Sequence, residues 1–283
     1  MRGAKKGDSL GKTEAIFFAA IILSALFLSR LALSPDSNIS DYRPEIISEN
    51  PGAYDVLGIL GIVLAGTAVL IIAKLLGLTL RIFVEAGNFS GAYYFFSIFL
   101  GKEIYGIIGG IFSVILRATP YLFFLNAFAT ISIVSFSVVF GIFLPWKLAL
   151  LMLSSIAVYD SIAVLYTQHM KLLWFAGVLD KIENPKWRET FGIFFPKKGG
   201  GLSLIGAGDF ALASLLVVSV GKDGGLLAGL FSAGIIFLSF LLLEKMTVES
   251  PKSRETGLPG IPPLSLGAVI SCVFLLSLGV LRP

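Results

Sequence analysis

The sequence predicts an all-α, polytopic membrane protein with nine transmembrane helices, and three observations predict it. Of its 283 residues, 56% are hydrophobic and only 14% charged, whereas a soluble domain carries about 25% charged residues. Those charges cluster between nine long apolar runs, which need a bilayer as their solvent. The 22 Lys and Arg residues also divide unequally between the two sides that nine crossings define. An ordinary cytosolic enzyme, a disordered chain and a secreted disulfide scaffold are excluded.

The first run, 14–33, follows Lys5, Lys6 and Lys12. That flank resembles a signal peptide, but the near-spanning length and the lack of a small-x-small cleavage site predict a retained helix. The outer loop 34–53 holds the sequon Asn38-Ile39-Ser40, a short pattern that occurs often by chance. Runs 54–76, 82–100, 104–116, 121–144 and 148–168 follow. Most runs reach the ~17–25 residues that cross ~30 Å of hydrocarbon as a helix. Run 104–116 is the short one, and by length alone it fits a re-entrant segment as well.

The longest inner segment, 170–201, precedes runs 202–220 and 226–243, and segment 244–263 precedes the last run, 264–281. Residues 1–283 therefore read as a single membrane domain, with six spans in 1–168, a cytoplasmic loop at 169–201 and three spans in 202–283. With the N-terminus inside, sixteen basic residues fall on the inner side, six of them in the loop after span six. Arg30, Arg43, Lys102, Lys147, Lys222 and Arg282 fall outside. Omitting the fourth span would move the six-charge loop outside, against the positive-inside rule. The expected topology is a cytoplasmic N-terminus and an outer C-terminus.

A net charge of +4 with no basic stripe speaks against a nucleic-acid partner. Cys272 and His169 are the only residues of their kinds. No intrachain disulfide can form, a two-histidine zinc site is excluded, and no metal or organic cofactor is expected.

Ionisable residues deep in a span are costly and mark function by default. Asp160 lies well inside span six and Asp209 inside span seven. Arg30, Lys74 and Arg81 sit near span ends, where they can snorkel, and Glu85 is placed to pair with Arg81 one turn away. Asp160 is eight residues before the expected end of span six, and Asp209 seven after the expected start of span seven. At ~1.5 Å per residue, both then lie ~11–12 Å from the inner surface, where antiparallel helices can bring them face to face.

Two close carboxylates in a low-dielectric site share one proton, so one can act as base and the other as acid. On spacing alone, the ion or proton site of a transporter fits equally well. Gly206 and Gly208 tilt the balance, because beside Asp209 they let another backbone approach and ease non-helical geometry. A protease needs such room, since a helical substrate must be unwound before its peptide bonds are reachable. Gly225-x-x-x-Gly229 reads as plain helix packing, and His169 as a solvated helix end.

Tyr159-Asp160 in one span and Gly206-x-Gly208-Asp209 in the next resemble the intramembrane aspartyl proteases, presenilin and signal peptide peptidase. The resemblance implies a presenilin-like fold and a catalytic dyad of Asp160 and Asp209. Pro259-Gly260-Ile261 aligns with the family's P-A-L at the start of the last span. The Ala and Leu positions are replaced, so only Pro259 carries over directly. Tyr159, Gly206, Gly208, Pro259, Gly260 and Ile261 are the expected site-shaping or substrate-binding residues.

Leu144-Pro145-Trp146 ahead of span six is also presenilin-like, and the chain lacks the large insertions of animal presenilins. It is most similar to a compact archaeal homologue, which implies a prokaryotic cell membrane. Prepilin peptidases share the G-x-G-D element and stand as a rival reading beside the transporter. The implied partners are the lipid bilayer and single-span membrane proteins, and the sequence leaves a homo-oligomer open. Loop 170–201 is short, so an active uncut chain is expected. Glycine- and proline-rich sequence ahead of spans seven and nine predicts that a substrate docks as an extended strand near 199–201 or 258–263.

Overall fold

A long apolar segment in a bilayer must satisfy its backbone N–H and C=O groups within itself, which only a helix does. The computed structural model describes residues 11–34, 39–42, 47, 51–76, 81–119, 121–166, 192–196, 202–249 and 260–282. Among them are nine α-helices, one for each apolar run: α1 (Gly11–Ala32), α2 (Ala53–Leu75), α3 (Arg81–Leu100), α4 (Glu103–Arg117), α5 (Leu122–Phe143), α6 (Trp146–Ser161), α7 (Ala207–Gly224), α8 (Leu226–Glu249) and α9 (Ile261–Ser277). The segments Lys12–Ala32, Leu122–Phe143, Trp146–Val164 and Leu226–Met246 are long and apolar enough to cross a membrane. The chain is an all-α integral membrane protein.

Two expected boundaries are corrected. Span six does not continue as one α-helix, because a π-helical turn (Ile162–Tyr166) follows Ser161. Span seven does not begin at Leu202. Residues Leu202–Gly206 form strand β2, antiparallel to β1 (Gly192–Pro196), with Gly192 opposite Gly206 and Pro196 opposite Leu202. A short apolar run does not by itself distinguish strand from helix, and here the partner strand decides. A Cβ on Gly192 would strike the Ile205 carbonyl, so the ladder closes only with glycine there.

α7 runs through the centre of the bundle, packed against α1, α5, α6, α8 and α9. Its residues from Leu212 to Gly221 are buried, as expected of a helix that is apolar all round. Phe18 of α1 stacks on Phe240 of α8 at 4.1 Å and meets Phe210 of α7 at 5.3 Å. The α3–α4 pair packs more tightly still, and a Cβ on Gly109 would overlap the Phe96 ring. Arg117, at the end of α4, is 1% exposed and bonds Glu85 Oε2 through Nε at 3.3 Å, while Arg81 stands 3.9 Å from the other carboxylate oxygen. The expected Arg81–Glu85 pair is therefore present, joined by the buried Arg117.

The glycines at 225 and 229 have separate tasks. Gly229 packs as expected, its position lying against Leu26 and Gly221, whereas Gly225 has φ +89° and open space around it. Gly225 is the turn between α7 and α8, a backbone state that favours glycine.

Polar groups at the end of α7 fasten its neighbours. Ser219 Oγ donates to the Leu144 carbonyl at 2.6 Å, and Lys222 Nζ to the carbonyls of Ile142 and Leu144 at 2.9 and 3.2 Å. Arg30 of α1 donates to the Gly221 carbonyl at 2.6 Å. Asp223 Oδ2 accepts the Trp146 N–H, in the first turn of α6, at 2.9 Å. Replacing Asp223 with alanine removes this cap and is expected to lower stability by about 1 kcal/mol. Thermal unfolding in detergent, compared with the parent chain, measures it.

Candidate active site

Three helix ends supply the site. Asp160 is carried near the end of α6, just before the π-helical turn. Asp209 stands in the first turn of α7, capped by Gly206, which is also the last residue of β2. The expected position of Asp209 deep in a helix beginning at Leu202 is thus corrected: a strand, not a helical turn, leads into it.

The third end is the start of α9. Every helix begins with N–H groups that have no intrahelical acceptor. In Ile261-Pro262-Pro263 the two prolines have no N–H to offer, which leaves Ile261 as the donor of that triplet. Its N–H donates to Asp160 Oδ2 at 3.3 Å, and the Gly260 backbone also reaches the carboxylate. Asp160 of one helix thereby caps the N-terminus of another.

Asp209 approaches the same turn from α7. A Cβ built on Gly260 would lie 2.9 Å from each Asp209 carboxylate oxygen. The two carboxyl groups therefore flank Gly260–Ile261 as one cluster. Both are half-buried, with Gly208 exposed beside them. The space that a side chain would fill at Gly208 is open, and at Gly206 it would meet Asp209 alone, at 3.5 Å. Helix packing therefore does not explain these two glycines, and the room they leave borders Asp209.

Helix lengths account for the alignment. From the Trp146–Asp223 fastening, Asp160 lies fourteen residues along α6 and Asp209 fourteen residues back along α7. At ~1.5 Å per residue each aspartate is ~21 Å from that common point. The two aspartates are thus equidistant from the fastened ends of their helices, a different reference from the expected inner ends of the spans.

Tyr159 is half-buried on α6 next to Asp160. Pro259, His169, Asn38 and the glycines at 199–201 lie outside the described residues, as does most of loop 170–201. No group of three or more His, Cys, Asp or Glu residues that could hold a metal ion occurs among the described residues. A search for ionisable groups passes over Asn126. Its carboxamide bonds both backbone groups of Phe194 in β1, donating to the carbonyl at 2.7 Å and accepting the N–H at 2.9 Å. An amide inside an otherwise apolar run was the available signal.

This fold is that of the presenilin-family intramembrane aspartate proteases. Two solved structures described as a presenilin family intramembrane aspartate protease, in different crystal forms, each share 20% sequence identity with this chain. Each match covers 95% of this chain and 98% of the other, with TM-scores of 0.59 and 0.63. No family model matches the sequence, and no curated protein matches it.

The capping contact makes a structural prediction. Asp160→Ala is expected to speed amide exchange in peptides covering 260–264, whereas Asp160→Asn, which keeps an acceptor oxygen, changes it little. Hydrogen-exchange mass spectrometry of the detergent-solubilised chain distinguishes the two outcomes.

Proposed function

We propose that the chain is an intramembrane aspartyl endopeptidase that hydrolyses peptide bonds in transmembrane-helix substrates. The observation that supports it best is the meeting of Asp160 and Asp209 around Gly260–Ile261, beside open space, within a bundle of this fold.

The chemistry follows from two carboxyl groups that hold one proton between them. The ionised member takes a proton from a water whose oxygen attacks the substrate carbonyl carbon, while the neutral member donates to the carbonyl oxygen. The adduct collapses as the C–N bond breaks: the leaving nitrogen takes a proton from the neutral carboxyl, and a hydroxyl of the adduct returns one to the carboxylate. A carboxylic acid and an amine result, and the pair is ready for another water. No metal or organic cofactor enters these steps.

In this reading the nine helices all cross the bilayer, with the N-terminus cytoplasmic and the C-terminus outside a prokaryotic cell membrane. That sense suits single-span substrates whose own N-termini lie outside, as for presenilin rather than signal peptide peptidase. The G-x-G-D run is the turn where β2 passes into α7. A substrate enters it as a strand, because extended pairing satisfies backbone groups bared by unwinding a helix in lipid. The uncut chain is the active form.

Cleavage of a single-span substrate by purified protein in detergent, followed on a gel, tests the proposal. Asp160→Ala and Asp209→Ala are each expected to lower the rate by at least about 10²- to 10⁴-fold. The double variant should be scarcely worse, because groups acting as a unit lose function non-additively. The rate should follow a bell in pH whose limbs belong to the coupled pair, and chelators should leave it unchanged. Substantial activity with either aspartate removed would return the transporter reading to the front.

Gly260 gives a graded test. Gly260→Val places branched carbon where the Asp209 carboxylate lies, and a displacement near 1 Å at a catalytic group costs on the order of 10²-fold in rate. The same assay reads the loss, with melting as the control for folding.

A further inference from the structure

The hairpin before α7 has two edges, and they are not equivalent. In an antiparallel pair, residues alternate between those whose N–H and C=O point at the partner strand and those whose groups point away. Phe194 sends both of its groups to Asn126 of α5. It therefore faces away from β2, and Phe194 and Leu204 form a pair without mutual backbone bonds. Leu204 in turn points its N–H and C=O outward from the far edge of β2, and Leu202 and Gly206 share that direction.

The side chain of Asn126 presents one amide donor and one carbonyl acceptor, the same two groups that a residue of a neighbouring strand would offer. Phe194 is 1% exposed, its neighbour Ile193 is buried, and Phe195 is buried edge-on against Phe17 of α1 at 5.6 Å. The β1 side of the hairpin is thus closed by protein. Across the hairpin, the sheet has two strands among the described residues, so no third strand covers β2 there. β2 leads straight into Gly206, Gly208 and Asp209, where a Cβ on Gly208 would meet nothing within 4 Å.

We propose that Asn126 is a positioning residue for substrate: its carboxamide stands in for a strand on β1, seals that edge, and directs an incoming strand to β2. The inference rests on the protease reading and adds to it the residue that fixes where the strand docks. By holding Phe194 against α5, Asn126 also fixes the hairpin's register relative to Asp209, and hence which peptide bond reaches the carboxylates. Loss of the clamp allows the hairpin to slide and β1 to compete for the substrate.

The test uses the full chain in detergent, comparing wild type with N126L, which removes both hydrogen bonds, and N126D, which keeps only an acceptor. Steady-state cleavage of a single-span substrate gives KM and kcat, and mass spectrometry of the products gives the bond cut. Hydrogen exchange reads peptides covering 192–196 without substrate. N126L is expected to raise KM about tenfold or more with kcat far less affected. It should also spread cleavage over neighbouring bonds and speed exchange at 192–196, with N126D between it and wild type.

An N126L chain with wild-type KM, a single cut position or unchanged exchange overturns the proposal. Should N126L not fold, N126D decides by the same three readings. A wild-type chain that cuts no substrate overturns the protease reading itself, and this proposal with it. A wild-type chain that cuts, beside a variant indistinguishable from it, overturns this proposal alone.

Discussion

The first turn of a helix has N–H groups with no acceptor of its own, and α9 meets that constraint with two prolines and one borrowed carboxylate. Pro262 and Pro263 remove two donors, and the Ile261 N–H turns to Asp160. This contact brings α6 and α9 together, and the absence of a side chain at Gly260 lets Asp209 of α7 reach the same turn. An alanine there, as in the family's P-A-L, needs the carboxylate to shift by a few tenths of an ångström. The glycine in this chain is thus matched to an Asp209 that lies directly on the loop backbone.

The nine helices were legible because each follows an apolar run, and four of those described are long and apolar enough to cross a membrane. Asp160 and Asp209 were legible because charge is rare in such runs. The hairpin was not. Leu202-Ser203-Leu204-Ile205 is too short and too uniformly apolar to declare its period, and its partner Gly192–Pro196 sits in a segment that reads as a loop. Depth counted from Leu202 matched Asp160 with Asp209 along a path the chain does not take, since the first five residues of that count are a strand. Arg117 and Asn126 escaped for another reason: their meaning lies in contacts with residues 32 and 68 positions away, which local pattern does not carry.

Polar side chains in this bundle act repeatedly as substitutes for backbone. Asp160 caps α9 and Asp223 caps α6, while Asn126 completes β1 as a strand would. In water such substitutions contribute modestly, because the freed groups can be hydrated; where water is scarce an unpaired group bears its whole desolvation penalty. The starts of α6 and α9 and the outer edge of β1 are thereby paired within the bundle.

The equal arms of α6 and α7 also bear on how such a chain can drift over generations. One residue inserted between Trp146 and Asp160 would swing Asp160 by roughly 100° around its helix and advance it ~1.5 Å, turning it from α9. The same holds between Asp209 and Asp223. A substitution that keeps the helix leaves this spacing intact, whereas an insertion or deletion in either arm does not. The spacing of four residues, more than the identity of those around them, is what the geometry constrains.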